Sequence, residues 1–430
     1  MGTVNEARKA AHTSLVACLV NDKFVNLEIS SILKRTNLQG ADRGLYTALV
    51  YGVIERLITI DYYISKLSQR PLKELEENTL AAVRMGIYQL EFMDKIPPHA
   101  AVDESVELAP RKSRGFVNAI LRSFLRKKPE LPVREDGVVK YLSVKYSTPE
   151  ELCSLIADDY GYEETESILG AFFERKPTAI RINTLRADSA ERAEKLGAVK
   201  SDLSHGSMLV PSFDGVLDGV EKGDWFVQDE ASSLCAEVLG AQPGEIVADT
   251  CAAPGGKSFS VALAMENKGE LYSFDLHDNK ISLIKKGAEK LGIDIIRAEA
   301  RDARHPKEEL LGKCHKVLCD APCSGFGVIG KKPDIKYKDV KASEGLPKVQ
   351  AEVLRGAAKY VRPGGVLVYS TCTILKRENE RIVESFLSEN SDFSLVPFMD
   401  CNGMKTMLPH KDKTDGFFIC KMIRNGTDND

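Results

Sequence analysis

The chain of 430 residues is long enough for two or three domains at about 150 residues each, and it can bury a core without disulfide or metal staples. Its composition, 43% hydrophobic and 28% charged with only 18 Pro and 32 Gly, excludes wholesale disorder, a collagen-like repeat and a low-complexity scaffold. The 59 basic and 63 acidic residues leave a net charge of -4, which does not fit a generic nucleic-acid binder, but the charge is unevenly spread.

No apolar run reaches about 18 residues, so no membrane span is expected. Residues 8–20 read as a first amphipathic helix rather than a secretion signal, because the apolar part is short and no small-residue cleavage site follows. Glu6 stands where a myristoylation signal needs Ser or Thr. Ten cysteines in such a chain are expected to be reduced, as in the cytoplasm. There is no C-x-x-C pair, and Cys314, Cys319 and Cys323 with His315 match no common zinc spacing, so no metal is expected.

Up to about residue 130 the apolar positions recur at three and four, as in Leu45, Leu49, Val53 and Ile54, and again in Leu80, Val83, Ile87, Tyr88 and Leu90. This predicts an all-helical region. Pro97 and Pro98 interrupt the pattern, and Phe116, Ile120, Leu121 and Leu125 resume it. Residues 1–140 hold 21 basic and 17 acidic residues, hence +4, and the remainder holds 38 and 46, hence -8. The excess sits in Arg111, Lys112, Arg114, Arg122, Arg126, Lys127 and Lys128, an 18-residue span without an acid. Such a run is either a solvated helix face or a patch that neutralises phosphates. Residues 129–140, with Pro129, Pro132 and Gly137, read as a linker.

Helical segments then give way to an extended run at 178–183 and to Gly- and Asp-rich turns through Lys222, which suggests a small α/β insert. After Gly244, short β-rich runs at 245–249, 270–275, 293–297, 316–320 and 365–370 alternate with helix-length segments. That alternation predicts a parallel, doubly wound sheet. The expected domains are 1–140, 141–235 and 236–430.

The first strand of the last domain runs into Asp249-Thr-Cys-Ala-Ala-Pro-Gly-Gly-Lys257 and then a helix. A strand, a turn of small residues and a helix start let backbone N–H groups approach a nucleotide-like ligand. A Walker loop would need Gly where Cys251 stands, and the dinucleotide fingerprint is missing. Asp275 ends the next strand 26 residues after Asp249, near the offset of about 20 at which an acid reaches ribose hydroxyls. The combination fits adenosine without a pyrophosphate, with S-adenosylmethionine as the candidate; the alternative role for Asp275 is capping the following helix.

The fourth strand ends in Asp320-Ala-Pro-Cys323 and the fifth in Ser370-Thr-Cys372, so two thiols fall at carboxyl ends of strands, where open α/β sheets bind ligands. Either alone could be a small buried hydrophobe; two at one rim beside a methyl-donor loop suggest chemistry. Carbon 5 of cytosine is too weak a nucleophile to be methylated directly. A thiolate adding at carbon 6 makes it reactive, a carboxylate such as Asp320 can serve N3, and the carbon-5 proton must then leave to a base. The thiol needs local activation, for which Lys331 and Lys332 are candidates, and phosphate binding is their alternative role.

These residues resemble the Sun-type RNA cytosine-5 methyltransferases and, among them, the bacterial RsmB (Fmu) family acting on small-subunit (16S) ribosomal RNA. The catalytic part carries the 249–257 motif, Asp320-Ala-Pro-Cys-Ser-Gly, Pro333-Asp-Ile-Lys336, Ser-Thr-Cys-Thr around Cys372 and Asp415-Gly-Phe-Phe418. The amino-terminal part, with Asp42-Arg43, Tyr51-Gly-Val, Leu90, Ile96-Pro-Pro-His-Ala100 and Gly115-Phe-Val-Asn-Ala-Ile-Leu121, is similar to the NusB-like helical RNA-binding domain of that family. The resemblance implies an all-α NusB-like domain followed, after the insert, by a Rossmann-like class I methyltransferase domain. It implies S-adenosylmethionine held by Cys251, Ala252, Ala253, Pro254, Gly255, Gly256, Lys257, Asp275, Asp302 and Asp320. Cys372 is then the nucleophile and Cys323 the second cysteine, which acts in product release; the residues by themselves do not rank the two. Ribosomal RNA is the implied partner, with no membrane or metal, and the expected protein is a cytoplasmic monomer. Cys319 and Phe326 depart from the family's usual aliphatic or small residues.

Overall fold

A computed structural model of the chain describes residues 5–21 and 23–426. They divide into two compact units: 1–170 with 329–340, and 171–328 with 341–430.

The first unit is helical, with α1 (Glu6–Val20), α2 (Val25–Arg35), α3 (Gly40–Glu55), α4 (Leu57–Leu67), α5 (Glu77–Phe92), α6 (Pro98–Leu108), α7 (Arg114–Arg126), α8 (Val138–Lys145), α9 (Glu150–Tyr160) and α10 (Tyr162–Ala171). The Asn5 side chain accepts the Ala7 and Arg8 amides at the start of α1, which buries Ala7, Ala11, Leu15 and Cys18 on one stripe. In α7 the buried stripe is Val117, Ile120, Leu121 and Phe124, so the basic residues are left facing outward. Three of them meet carboxylates: Lys112 pairs with Glu76, Arg114 with Glu107 and Lys128 with Glu91. Arg122 bonds to Asn118 and Arg126 to Ser123. The expected linker at 129–140 contains a 3₁₀ turn, Arg134–Asp136, and the start of α8.

Residues 329–340 supply this unit with a 3₁₀ turn, Pro333–Tyr337, whose Lys336 is 1% exposed. Its Nζ donates to the carbonyl of Glu55 at 2.7 Å, and the Tyr337 hydroxyl donates to the carbonyl of Ile54 at 2.7 Å. Burial lowers the Lys336 pKa to about 7. Between that value and the unfolded one of about 10.4 the unfolded chain binds the extra proton, so this residue's contribution to stability rises with pH across the window. Lys336→Met is therefore expected to cost more stability at pH 9.5 than at pH 6.5, the difference growing by up to about 1.4 kcal/mol per pH unit. Urea unfolding of both proteins measures it, and a difference independent of pH would refute the assignment.

The second unit holds two sheets. The smaller, order β2-β3-β1-β4, is built from β1 (Thr178–Ile182), β2 (Val199–Lys200), β3 (Ser207–Val210) and β4 (Trp225–Val227), all within residues 141–235. The larger contains β5 (Ile246–Asp249), β6 (Glu270–Asp275), β7 (Ile296–Ala300), β8 (Cys314–Asp320), β9 (Val361–Thr371), β10 (Phe393–Leu395), β11 (Met404–Met407) and β12 (Phe417–Arg424). Its order is β10-β12-β9-β8-β5-β6-β7, with β11 on β12.

The five strands β5 to β9 are parallel, as the alternation predicts. The sheet as a whole is mixed, because β12 runs antiparallel to β9, β10 and β11, an extension the sequence reading does not include. The expected strand at 293–297 lies three residues later. Gly292 adopts φ 71 to end the preceding helix, and the amides of Asp294 and Ile295 bond to Asn267, so these residues serve a turn. Order reverses between β5 and β8, so the carboxyl ends of those strands open a crevice. No helix among the described residues is long and apolar enough to cross a membrane.

Candidate active site

Asp249, Asp275, Asp320 and Thr371 end four of the parallel strands, which brings the loops after them to one edge of the sheet. A cavity of about 470 Å³ opens there, within the usual range for small-molecule sites. Cys251, Ala253, Asp275, Asp302, Asp320, Cys323 and Cys372 all line it, with Arg301, Arg304, His277 and Lys280. Ala252, Pro254, Gly255, Gly256 and Lys257 are not among its lining residues.

The loop after β5 has a local reason to be made of small residues. Gly255 takes φ 116 before the helix Gly256–Ala264, and a Cβ there would lie 2.4 Å from the Phe259 ring. The Ala252 amide donates to the carbonyl of Phe274, and the Ala253 amide to Asp275 Oδ2 at 3.2 Å. Asp275 Oδ1 accepts the His277 amide at 3.1 Å, just before the helix Asp278–Leu291. Asp275 thus ties the first loop to the next helix start, and it also faces the cavity. Asp302 is held by Arg304, whose guanidinium lowers the carboxyl pKa. Small residues, two rim carboxylates and this volume suit a nucleoside-type cofactor such as S-adenosylmethionine, with Cys251, Ala253, Asp275 and Asp302 as the groups that would hold it.

Lys257 turns elsewhere. Its Nζ donates to Asp320 Oδ2 at 2.8 Å and lies 4.9 Å from the centre of the Phe417 ring. Burial is the largest single influence and by itself would lower the lysine pKa, but the charge and hydrogen bond of Asp320 together with the Cys235 and Cys372 sulfurs outweigh it and the net shift is upward, so the ammonium stays charged. The second oxygen of Asp320, Oδ1, accepts the Ser370 hydroxyl at 2.7 Å, which fixes the carboxylate at the cavity wall. Beneath it, burial raises the Asp249 pKa to about 7, opposed by the hydroxyl of Ser258.

Cys323 and Cys372 lie with sulfurs 3.2 Å apart, close enough for one thiol to donate to the other. The Gly327 amide donates to the carbonyl of Cys372 at 3.0 Å, and the Gly416 amide to the carbonyl of Gly327 at 2.9 Å. A Cβ at Gly327 would sit 1.9 Å from the Gly416 oxygen, so the two cysteine loops approach this closely only with glycine there. Contact with Cys372, then burial, raises the Cys323 pKa well above the ordinary thiol value. Cys319 and Phe326 are buried in the core.

The sequence reading misses Ser370 and Arg304 as holders of Asp320 and Asp302. It also misses Gln350, Glu378 and Asn379, which are 0% exposed behind the cysteine loops. Polar side chains in a stretch such as Arg377-Glu378-Asn379-Glu380 give no sign in sequence that two of them are buried.

The sequence pattern of the family described as 16S rRNA methyltransferase RsmB/F matches residues 236–423, and that of the NusB family matches residues 5–126. The probable ribosomal RNA small subunit methyltransferase B of Bacillus subtilis is 38% identical, over 97% of this chain and 99% of its own. The chain belongs to the RsmB/F methyltransferase family. A relative from Synechocystis, also named probable ribosomal RNA small subunit methyltransferase B, is 32% identical over 97% of this chain and 99% of its own. Among solved structures, PH0851 superimposes with a TM-score of 0.81 at 26% identity, covering 98% of this chain and 100% of that one. Residues 5–126 of the helical first unit accordingly form a NusB-type domain, and the larger sheet belongs to an α/β methyltransferase domain, as the sequence leads one to expect.

Proposed function

We propose that this methyltransferase places a methyl group on carbon 5 of a specific cytosine in small-subunit (16S) ribosomal RNA, through a transient bond from Cys372 Sγ to carbon 6. The observation that carries the reading is the pair of sulfurs 3.2 Å apart in the wall of the cavity that also holds Asp275, Asp302 and Asp320. The relatives named for methylation of small-subunit ribosomal RNA supply the substrate class.

In this reading the Cys372 thiolate attacks carbon 6, and the electron pair moves onto carbon 5. Asp320, steadied by Lys257 and Ser370, faces the base and stabilises the proton near N3 that the addition requires. S-adenosylmethionine would be held by Cys251, Ala253, Asp275, Asp302 and Asp320, with the small residues of the 251–257 loop leaving room for it, and would supply the electrophilic methyl group. Once Cys372 is bonded to carbon 6, Cys323 beside it gives its own thiol proton to solvent and then receives the carbon-5 proton, after which carbon 6 releases the sulfur and the ring regains its aromaticity. Residues 1–140 would grip ribosomal RNA through the outward face of α7, 141–235 would contribute a second RNA surface, and 236–430 the chemistry. The place of action is the cytoplasm, where ribosomal subunits are assembled, and the protein acts as a monomer.

The test is incubation with S-adenosylmethionine carrying a labelled methyl group and separate pools of RNA and DNA, followed by nucleoside analysis. Label is expected in 5-methylcytosine of small-subunit ribosomal RNA, and incorporation should fall steeply between 50 and 200 mM salt as phosphate contacts are screened (roughly tenfold or more). Label in DNA alone, or in no nucleic acid, overturns the proposal.

A further inference from the structure

Two thiols at one cavity wall are chemically alike, and the protein must decide which one ionises. The groups around them are not alike. Behind Cys323, Glu378 is 0% exposed, and its Oε2 accepts the amide of Ser324, the next residue, at 2.9 Å. The same oxygen accepts Gln350 Nε2 at 2.9 Å, and that amide nitrogen also donates to the carbonyl of Pro322 at 3.0 Å. Glu378 Oε2 is the acceptor in both bonds. Its other oxygen, Oε1, is buried and makes no hydrogen bond. The loop is further pinned by the Ser324 and Thr373 hydroxyls, 2.9 Å apart, and by the Tyr369 hydroxyl, which donates to the carbonyl of Glu378 at 2.8 Å.

The charged and titratable groups facing Cys323 are therefore Cys372, Glu378 and Asp320, with Tyr369 packed beneath, and the first three disfavour a negative charge on Cys323. Cys372 feels the buried Lys257 ammonium, held in place by Asp320. Across a low-dielectric site, a carboxylate on one side and an ammonium on the other separate two otherwise equal thiols.

We propose that the buried carboxylate of Glu378 is a positioning residue that keeps Cys323 a neutral thiol, donating its proton toward the Cys372 sulfur, so that Cys372 carries the thiolate. This rests on the reading of Cys372 as nucleophile and adds the reason for the order of the two cysteines. It also accounts for how Cys323 stays protonated and intact while the thiolate beside it attacks.

The test uses the full chain and iodoacetamide, with alkylation at each cysteine followed by peptide mass spectrometry from pH 6 to 10. In the unaltered protein Cys372 reacts at lower pH than Cys323; the reverse order overturns the proposal. Glu378→Gln keeps an acceptor for Ser324 and removes the charge, and it is expected to speed Cys323 alkylation at pH 7.5 by about tenfold or more, equal to one pKa unit, with Cys372 little changed. Gln350→Met leaves the charge and strips one of its donors, so Cys323 should become slower. Mere loosening of the loop would instead raise both thiols in both variants, and that result, or an unmoved Cys323 in folded Glu378→Gln, overturns the proposal. Should Glu378→Gln fail to fold by circular dichroism, the opposite shift in Gln350→Met decides. Methylation by Cys372→Ser, measured alongside, separates the two ideas: turnover there removes the nucleophile reading, and an inactive Cys372→Ser with an unmoved Cys323 in Glu378→Gln removes only this one.

Discussion

Cys372→Ser is expected to lower methyl transfer by about 10⁴-fold or more, the scale of a lost covalent nucleophile, while binding of the methyl donor stays within about threefold, or roughly 0.6 kcal/mol. The oxygen replacing sulfur has almost the same reach, so the cavity keeps its shape, but a hydroxyl does not ionise beside Lys257 as a thiol can. Donor binding should persist because the groups assigned to it come from other strands: Cys251 and Ala253 follow β5, Asp275 ends β6, and Asp302 follows β7. Single-turnover incorporation of labelled methyl and equilibrium dialysis of S-adenosylmethionine measure the two quantities separately. Loss of both together would mean that Cys372 holds the cavity together rather than acting in it, and undiminished turnover would move the nucleophile to Cys323.

The same contrast between local and distant information governs what can be read from the sequence. β6 is legible to the residue because the β-rich run at 270–275 is bounded by a glycine before it and a helix start after it. β7 is not, since the segment at 293–297 is equally apolar but its first residues are drawn into bonds with Asn267, 27 and 28 positions away. β10 and β11 have three and four residues, too short for a period of two to stand out, and they exist because β12 offers them a partner.

In the site, the aspartates and cysteines stand out because the alternation of strands and helices puts them at strand ends. Their partners do not. Lys257 meets Asp320 across 63 positions, Ser370 meets Asp320 across 50, and Ser324 meets Glu378 across 54. A motif reader sees Lys257 beside the glycines, but not that the fold pairs its ammonium with Asp320. On the proposal made above, the choice between two cysteines is of the same kind, since it would depend on buried charges brought from distant parts of the chain.

Removal of Cys323 should expose the far side of the reaction. In Cys323→Ala the Cys372 thiolate is still present, so addition to carbon 6 and acceptance of the methyl group can proceed once per enzyme. What is lost in this reading is the neighbouring sulfur, 3.2 Å from Cys372, that takes the carbon-5 proton once its own proton has left after the addition, and so lets the bond to carbon 6 break. Loss of a general base slows its step by about 10²–10⁴-fold, enough for a methylated covalent complex to accumulate. The visible result is a burst of labelled methyl followed by a stall, with a slowly migrating protein band on a denaturing gel that disappears after ribonuclease treatment. Cys323→Ser should behave alike, because a hydroxyl is a poor base at neutral pH. The double variant Cys323→Ala with Cys372→Ser should form no band, since it lacks the sulfur that makes the bond. A Cys323→Ala enzyme that turns over freely with no adduct would show that the proton leaves to another group, with Asp320, already at the cavity wall, as the next residue to test.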